Sequence, residues 1–386
     1  MKILNIVYAE KITSKQEHQL TIDVLKETFK EAIVLHSKLL SNHKKIAYFF
    51  IDPLLNSFEA ANQFYFEIFD CEEIDKLNTY KSGASPIQAL SDAKEIIKTG
   101  LYDAVFIFGF DPLLTNKKMY GKDEITKAMS IFDTHSIMQC YNQIAHLVCQ
   151  ELGVTKTEFR SYCDELYKNY LKTYQKLSDT IVPFERGRQL EENQADLFML
   201  TDCANPNIDF SGGVIVASED TTQFLETAKT ERIRVSGVKY VSVKGSPEQI
   251  DSIVGENKSM FPHLRKAFVE AQSQAAIHVA KEYRNKNLYL EAYTCYPPIP
   301  IAFLLATGMI DTIDDLSDFL SRYEITITGG MNFARAPWNN PALNALIDMY
   351  QKLRQCDGSY GLVHGNGGIG EIQGIAILEK TKNENS

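Results

Sequence analysis

The side chains best suited to chemistry stand where apolar runs give way to glycine, proline or polar turns. His364 lies in GLVHGNGGIG, after an apolar run and before a glycine-rich turn. An imidazole there could act as a base or hydrogen-bond an oxyanion, and a histidine tied to the backbone of the bend would read the same. Asn366, Gly367 and Gly368 follow it; with Gly370, the glycine N–H groups could line a pocket or serve only the bend. Cys295 lies in LEAYTCYPPIP, between aromatics and just before Pro297 and Pro298. As a thiolate it would be an acyl-accepting nucleophile; sealed among apolar groups it would be inert. Tyr293, two residues earlier, offers a phenol for proton transfer, and Tyr80 in NTYKSGASP offers another. Ser82 and Ser85 sit where a helix begins, a place that serine occupies as a cap without any chemistry. Trp338, the only tryptophan, lies in ARAPWNNP and could line a pocket or pin its loop.

Several classes of function are disfavoured. GNGGIG matches neither GxGxxG at a helix start nor GxxxxGK[ST], which argues against NAD or ATP. The seven cysteines include no CxxC and show no ligand spacing with the eight histidines, so no metal site is expected. A formal net charge of −10 and no basic cluster argue against nucleic acid and membrane surfaces. No apolar run approaches the roughly 18 residues that span a bilayer, and MKILNIVYAEK reads as a buried strand rather than an export signal. A cytoplasmic location is the expectation.

These residues need elements to hold them. The first 118 residues alternate apolar strands (LNIVY, KIAYFFID, YDAVFIFGF) with helices (HQLTIDVLKETFKEAIVLHSKLL, and SPIQALSDAKEIIKTG stopped by Gly100). Residues 119–198 are rich in Lys, Glu, Tyr and Gln and read as a helical insert, with MSIFDTHSIMQCYNQIAHLVCQELG and TKTEFRSYCDELYKNYLKTYQKL as long helices. The strand SGGVIVAS then resumes the first pattern over 199–225. A second α/β half covers 226–386: RIRVSGVKYVSV as a strand pair, HLRKAFVEAQSQAAIHVAKEY as a helix, NLYLEAYT as a strand. IPIAFLLATGM and ALNALIDMYQKLRQ follow as helices, with YGLVHGNGG and IQGIAILEK as closing strands. The 386 residues suffice for one large or two medium domains. Letter identity between the halves is too weak to mark a repeat.

The order of parts, with glycines at particular joints, resembles the thiolase superfamily over nearly the whole chain. NTYKSGASPIQALSDAKEIIKTGLYDAVFIFG resembles the segment in which CxSG opens a helix, with Tyr80 where the family carries its nucleophilic Cys. DCANPNIDFSGGVIVASED resembles DGAAAxVxxSEE. LEAYTCYPPIP resembles the HDCF or NEAF position, with Tyr293 at the His; an acetyl-CoA acetyltransferase-like subgroup reads YSCFP there. ITGGMNFARAPWNN resembles NxxGGxxxxGHPxG, with Ala336 at the CoA-activating His, and the subgroup's GGxxxxGGPGNN shares Asn339 and Asn340. GLVHGNGGIG resembles the final CxGGG turn, where sterol-carrier-type thiolases carry a His like His364.

The resemblance implies an α/β thiolase-like fold: two halves with mixed five-stranded sheets, buried helices between them, and the insert as a lid over a CoA-shaped cleft. It implies an acyl-CoA or carrier-bound thioester as substrate, no separate cofactor, and by default a homodimer paired through an edge strand near Tyr80. With the usual Cys and His replaced, the expected reaction is acyl transfer with Cys295 as nucleophile and His364 as base, Tyr293 beside them. Tyr80, Ser82, Asn366, Gly367, Gly368 and Trp338 are the expected pocket residues. Two alternatives stand beside it. One is a Tyr293-assisted aldolase, since related steroid side-chain aldolases carry a Tyr there, commonly with a small OB-fold partner. The other is an inactive subunit that supports a catalytic paralogue.

Overall fold

The structure is a computed structural model that describes residues 3–55, 59–131, 135–177, 195–226, 232–246, 249–255, 260–356 and 359–381. Nine strands form its main sheet: β1 (Leu4–Ser14), β2 (Ile46–Ile51), β3 (Leu77–Tyr80), β4 (Ala104–Pro112), β5 (Asp209–Ser218), β6 (Ile233–Ser242), β7 (Leu288–Glu291), β8 (Tyr360–Gly367) and β9 (Ile372–Glu379). Their order is β3-β2-β4-β5-β1-β6-β9-β8-β7. In the first group β2 is parallel to both β3 and β4, while β5 is antiparallel to β4 and β1. The second group repeats the scheme: β8 is parallel to β7, and β9 is antiparallel to β8 and β6. The groups meet where Asn5 and Ile6 of β1 pair antiparallel with Arg234 and Ile233 of β6.

Three expectations are corrected. Five strands stand in the first group but four in the second, and the β1–β6 pairing makes one continuous sheet of nine in place of two separate five-stranded sheets. RIRVSGVKYVSV is one strand, not a pair, because Gly237 is carried within the ladder, opposite Ile377, without a turn. The first predicted helix is also split at Phe29 into Ile22–Thr28 and Lys30–Ser41. Residues 178–194 of the expected insert, and the last five residues of the tail, lie outside the described residues.

The strands are apolar on both faces, as a doubly covered sheet requires. Phe49, Ile51, Val105 and Ile107 face a middle layer, and their neighbours Tyr48, Phe50, Phe106 and Phe108 face an outer aromatic layer. This is the two-residue alternation of a strand written twice over. The middle layer holds two helices, α1 (Ser85–Thr99) and the one that precedes β8. Outside the second group lie α2 (Ile137–Leu152), α3 (Lys156–Leu177), α4 (Pro262–Ala275) and α5 (Pro298–Ala306), whose buried faces join Leu288, Leu290, Leu362, Ile375 and Ile377. The second middle helix is α6 (Pro341–Arg354). Both middle helices start with proline in the first turn, where its missing N–H costs nothing. Gly100 ends α1 with φ +77.

Each middle helix rests on a glycine pair of the other group. Gly365 of β8 faces Gly374 of β9, and a Cβ on Gly374 would lie 2.8 Å from Ile87 Cβ of α1. Gly109 of β4 faces Gly212 of β5; added Cβ atoms would lie 1.9 Å from Asn340 Oδ1 and 2.8 Å from Ile347 Cδ1, at the start and within α6. The crossed arrangement brings the starts of α1 and α6 together over Gly365, near Ala84 Cα and Ala342 Cβ.

Candidate active site

The end of β7, the end of β8 and the start of α1 converge. A Cβ on Gly83 would lie 2.0 Å from the Tyr293 hydroxyl and 2.4 Å from the Asn366 carbonyl; one on Gly367 would lie 2.7 Å from Ser82 Oγ. Glycine is needed at 83 and 367 for that approach. Beside this point lies a small cleft, lined among others by Glu291, Tyr293, Met331, Arg335, Ala336 and His364.

The strand end after β7 builds one wall. Glu291 accepts from the Ile327 and Thr328 N–H groups at 2.6 and 3.1 Å and from the Thr328 hydroxyl at 2.6 Å. Thr294 Oγ1 accepts from the Met331 N–H at 2.8 Å. The segment leading to Arg335 is thereby fixed against the strand. Burial pushes the Glu291 carboxyl up to about 8, outweighing donors that pull the other way.

His364 is fully buried and fully bonded. Its Nδ1 accepts from the Tyr293 N–H at 3.3 Å, which leaves the proton on Nε2 to be donated to Gln373 Oε1 at 2.7 Å. The ring stacks on Phe303 at 4.6 Å. Burial lowers its pKa to about 4, so the imidazole is neutral. Gln373 Nε2 donates to Asn366 Oδ1 at 2.6 Å and to the Gly370 carbonyl at 2.9 Å. Asn366 Nδ2 donates to the Tyr141 hydroxyl at 2.7 Å and towards Cys295 Sγ at 3.6 Å, and Tyr141 donates to the Gly368 carbonyl at 3.1 Å.

Cys295 and His364 are therefore joined only through Asn366 and Gln373, with no direct hydrogen bond between them. Burial raises the Cys295 thiol to about 12, the reverse of what a nucleophilic cysteine needs. Tyr293 is different. Its ring is 7 % exposed, burial holds its phenol well above the usual range, and its hydroxyl has no hydrogen-bond partner among the described residues. Of the expected catalytic residues, Tyr293 and His364 line the cleft.

The expected pocket residues divide. Ser82, Asn366 and Gly367 stand at the convergence, with Ser82 Oγ 3.0 Å from Ser85 Oγ. Gly368 is the bend residue, at φ +61. Tyr80 is committed elsewhere: its hydroxyl donates to Asp92 at 3.0 Å and its ring packs on Phe49. Trp338 packs with Leu54, Leu113 and Ile125, and its N–H donates to Asp111 at 2.7 Å, which pins the loop before α6. Glu291, Arg335, Tyr141 and Gln373 were not foreseen as site residues. For Glu291 a signal existed, an acidic residue closing an apolar strand. For Gln373 and Tyr141, alternation and helical spacing gave none. Among the described residues no three His, Cys, Asp or Glu side chains are placed to hold a metal, and no helix is long and apolar enough to cross a membrane.

No family model and no curated protein matches the chain. Solved structures do. The monomeric SCP2-thiolase-like protein type 1 of Mycobacterium smegmatis superposes with a TM-score of 0.71 at 18% identity, over 99% of this chain and 79% of that one. An Ltp2–ChsH2(DUF35) aldolase gives 0.72 at 14% identity, over 98% and 97%. Human mitochondrial 3-ketoacyl-CoA thiolase gives 0.67 at 13% identity, over 98% and 99%, and a further structure of that thiolase is in complex with CoA. The chain has the thiolase fold.

Proposed function

We propose that this thiolase-fold chain makes or breaks a carbon–carbon bond in a β-hydroxyacyl thioester, by aldol chemistry. The hydroxyl of Tyr293, set beside the cleft against Gly83 and without a hydrogen-bond partner among the described residues, carries the reading. In the cleavage direction the bond between the α and β carbons breaks and its electron pair passes to the thioester as an enolate. The β-hydroxyl loses its proton and becomes a carbonyl, and the α carbon gains a proton. A phenol kept neutral by burial suits the donor that holds the enolate oxygen. Glu291 lines the same cleft, and burial pushes its carboxyl up to about 8; in its ionised form it takes the β-hydroxyl proton, and the acid so formed returns it to the α carbon. Asn366, Gln373 and His364 hold the strand end and the backbone of Tyr293 in place.

Acyl transfer through Cys295 lacks support in the geometry, since the thiol has Asn366 beside it and no base. The aldolase among the similar structures supports the reading at the level of fold. A CoA or carrier thioester as substrate, the division into residues 1–118 with 199–225, 119–198 as lid and 226–386, and a homodimer or small OB-fold partner belong to the same proposal.

The test is turnover of β-hydroxyacyl-CoA by the purified chain, alone and with a candidate OB-fold partner. Tyr293→Phe should lower kcat by about 10²–10⁴-fold and leave thermal stability unchanged, while Cys295→Ala stays active. An acyl adduct on Cys295 in intact mass, lost in Cys295→Ala, would return the assignment to an acyltransferase. No turnover and no adduct would identify a non-catalytic subunit.

A further inference from the structure

Arg335 holds its backbone at φ +66, in the left-handed region that favours glycine. A long side chain is strained there, and such strain persists only where the surroundings enforce it. Both flanks are fixed: the Ala336 N–H donates to the Asn205 carbonyl at 3.1 Å, and the Ala334 N–H donates to the Gly330 carbonyl at 2.9 Å. Glycine would fill the position without strain, so the side chain itself needs a reason.

Its placement supplies one. Arg335 lines the same cleft as Tyr293 and Glu291. One guanidinium nitrogen donates to the Asn207 carbonyl at 2.6 Å, which aims the group. The remaining N–H groups have no partner among the described residues. Glu291, the acid among the cleft's lining residues, already accepts from three donors. Lys11, which bonds the cleft residue Asn344, is itself paired with Asp348 at 2.5 Å. A half-buried guanidinium held by a single neutral carbonyl is a ready fork for a planar anion.

We propose that Arg335 binds a carboxylate on the substrate itself, so that the carbonyl fragment of the aldol reaction is a 2-oxo acid. This rests on the aldol reading. The thioester then carries hydroxyl and carboxylate on its β carbon. Cleavage gives a 2-oxo acid and a shortened acyl thioester, the β-hydroxyl proton ending on the α carbon with no net redox change.

The experiment measures equilibrium binding of pyruvate, pyruvamide and free CoA to the full chain, with thermal melting of each variant. Pyruvate should bind at least tenfold more weakly to Arg335→Gly than to the unaltered chain, while pyruvamide and CoA bind both equally. Arg335→Lys should recover part of the pyruvate affinity. Arg335→Gly should melt about 1–2 °C higher, because strain is relieved. Equal binding of pyruvate to both proteins, binding to neither, or a selective loss of CoA would overturn the proposal. So would a lower melting temperature of Arg335→Gly, which would make the arginine a structural tie to Asn207. Tyr293→Phe separates the two readings: it should bind pyruvate normally. If it also keeps full turnover, the aldol reading fails while the carboxylate site stands.

Discussion

The two groups of strands end in equivalent places, yet only one end is open. At the end of β8, Gly365 and Gly374 receive α1, and beyond them lie the cleft and the hydroxyl of Tyr293, which has no hydrogen-bond partner among the described residues. At the end of β4, Gly109 and Gly212 receive α6, and the space is closed by Asn340, Trp338 and the Asp111 carboxylate. Asp111 accepts from the Leu54, Trp338 and Asn339 N–H groups, and burial still raises it to about 6. One frame therefore supplies a site and a plug. At the β4 end Trp338 packs its ring with Leu54, Leu113 and Ile125, whereas at the β8 end the buried Tyr293 keeps a hydroxyl with no hydrogen-bond partner among the described residues.

The sharpest way to break this comparison is to fill the open end. Gly83→Ala places a methyl carbon 2.0 Å from the Tyr293 hydroxyl and 2.4 Å from the Asn366 carbonyl. The carbonyl is backbone and cannot swing away, so β8 or the start of α1 must move. A loss of about 3 kcal/mol or more, with loss of turnover, is expected in denaturant melts and assays. The glycine pairs offer the next contrast. Gly374→Ala meets Ile87 at its Cβ, close to the backbone of α1, and should cost about 2 kcal/mol. Gly109→Ala meets the tip of Asn340, whose amide has no partner to lose, and should cost under about 1 kcal/mol. Equal costs would mean that the two joints are equally rigid.

Much of this was legible beforehand, for a physical reason. Long apolar runs such as IAYFFI and AVFIFGF can only be doubly covered strands, and Gly100 and Gly308 stop their helices in the structure as in the reading. The convergence of LEAYT, KSG and GNGG was legible through the resemblance, not through spacing, because the three are far apart in the chain. The repeat between the groups was not legible. It resides in hydrogen-bond direction and in two cross-strand glycine pairs, which leave no shared letters beyond glycine. That Cys295 and His364 are linked through Asn366 and Gln373, and not directly, was not legible for a simpler reason. Residue types at adjacent joints do not say which atoms face each other, and Gln373, an ordinary polar residue within a strand, accepts the hydrogen bond from the imidazole N–H.

The smallest expected effect compares two histidines, one in the outer layer of each group of strands. His36 lies in the outer layer of the first group, hydrogen-bonded to the Tyr48 hydroxyl at 2.7 Å; His364 lies in the second. Burial lowers both to about 4. Each folded-state pKa is below the unfolded value of about 6.5, so the unfolded chain takes up the proton first. The stabilisation is whole above that value and is lost as pH falls from 6.5 towards 4. At pH 5.5 the loss is about 1.4 kcal/mol for each histidine. His36→Gln and His364→Gln should each flatten the dependence of stability on pH by that amount between pH 7 and 5.5, whatever they cost at neutral pH. If His36→Gln flattens it and His364→Gln does not, His364 accepts a proton within the folded cleft. In that case the two histidines differ in function as well as in place, and His364 regains a claim to the acid–base role that its bonds to Tyr293 and Gln373 argue against.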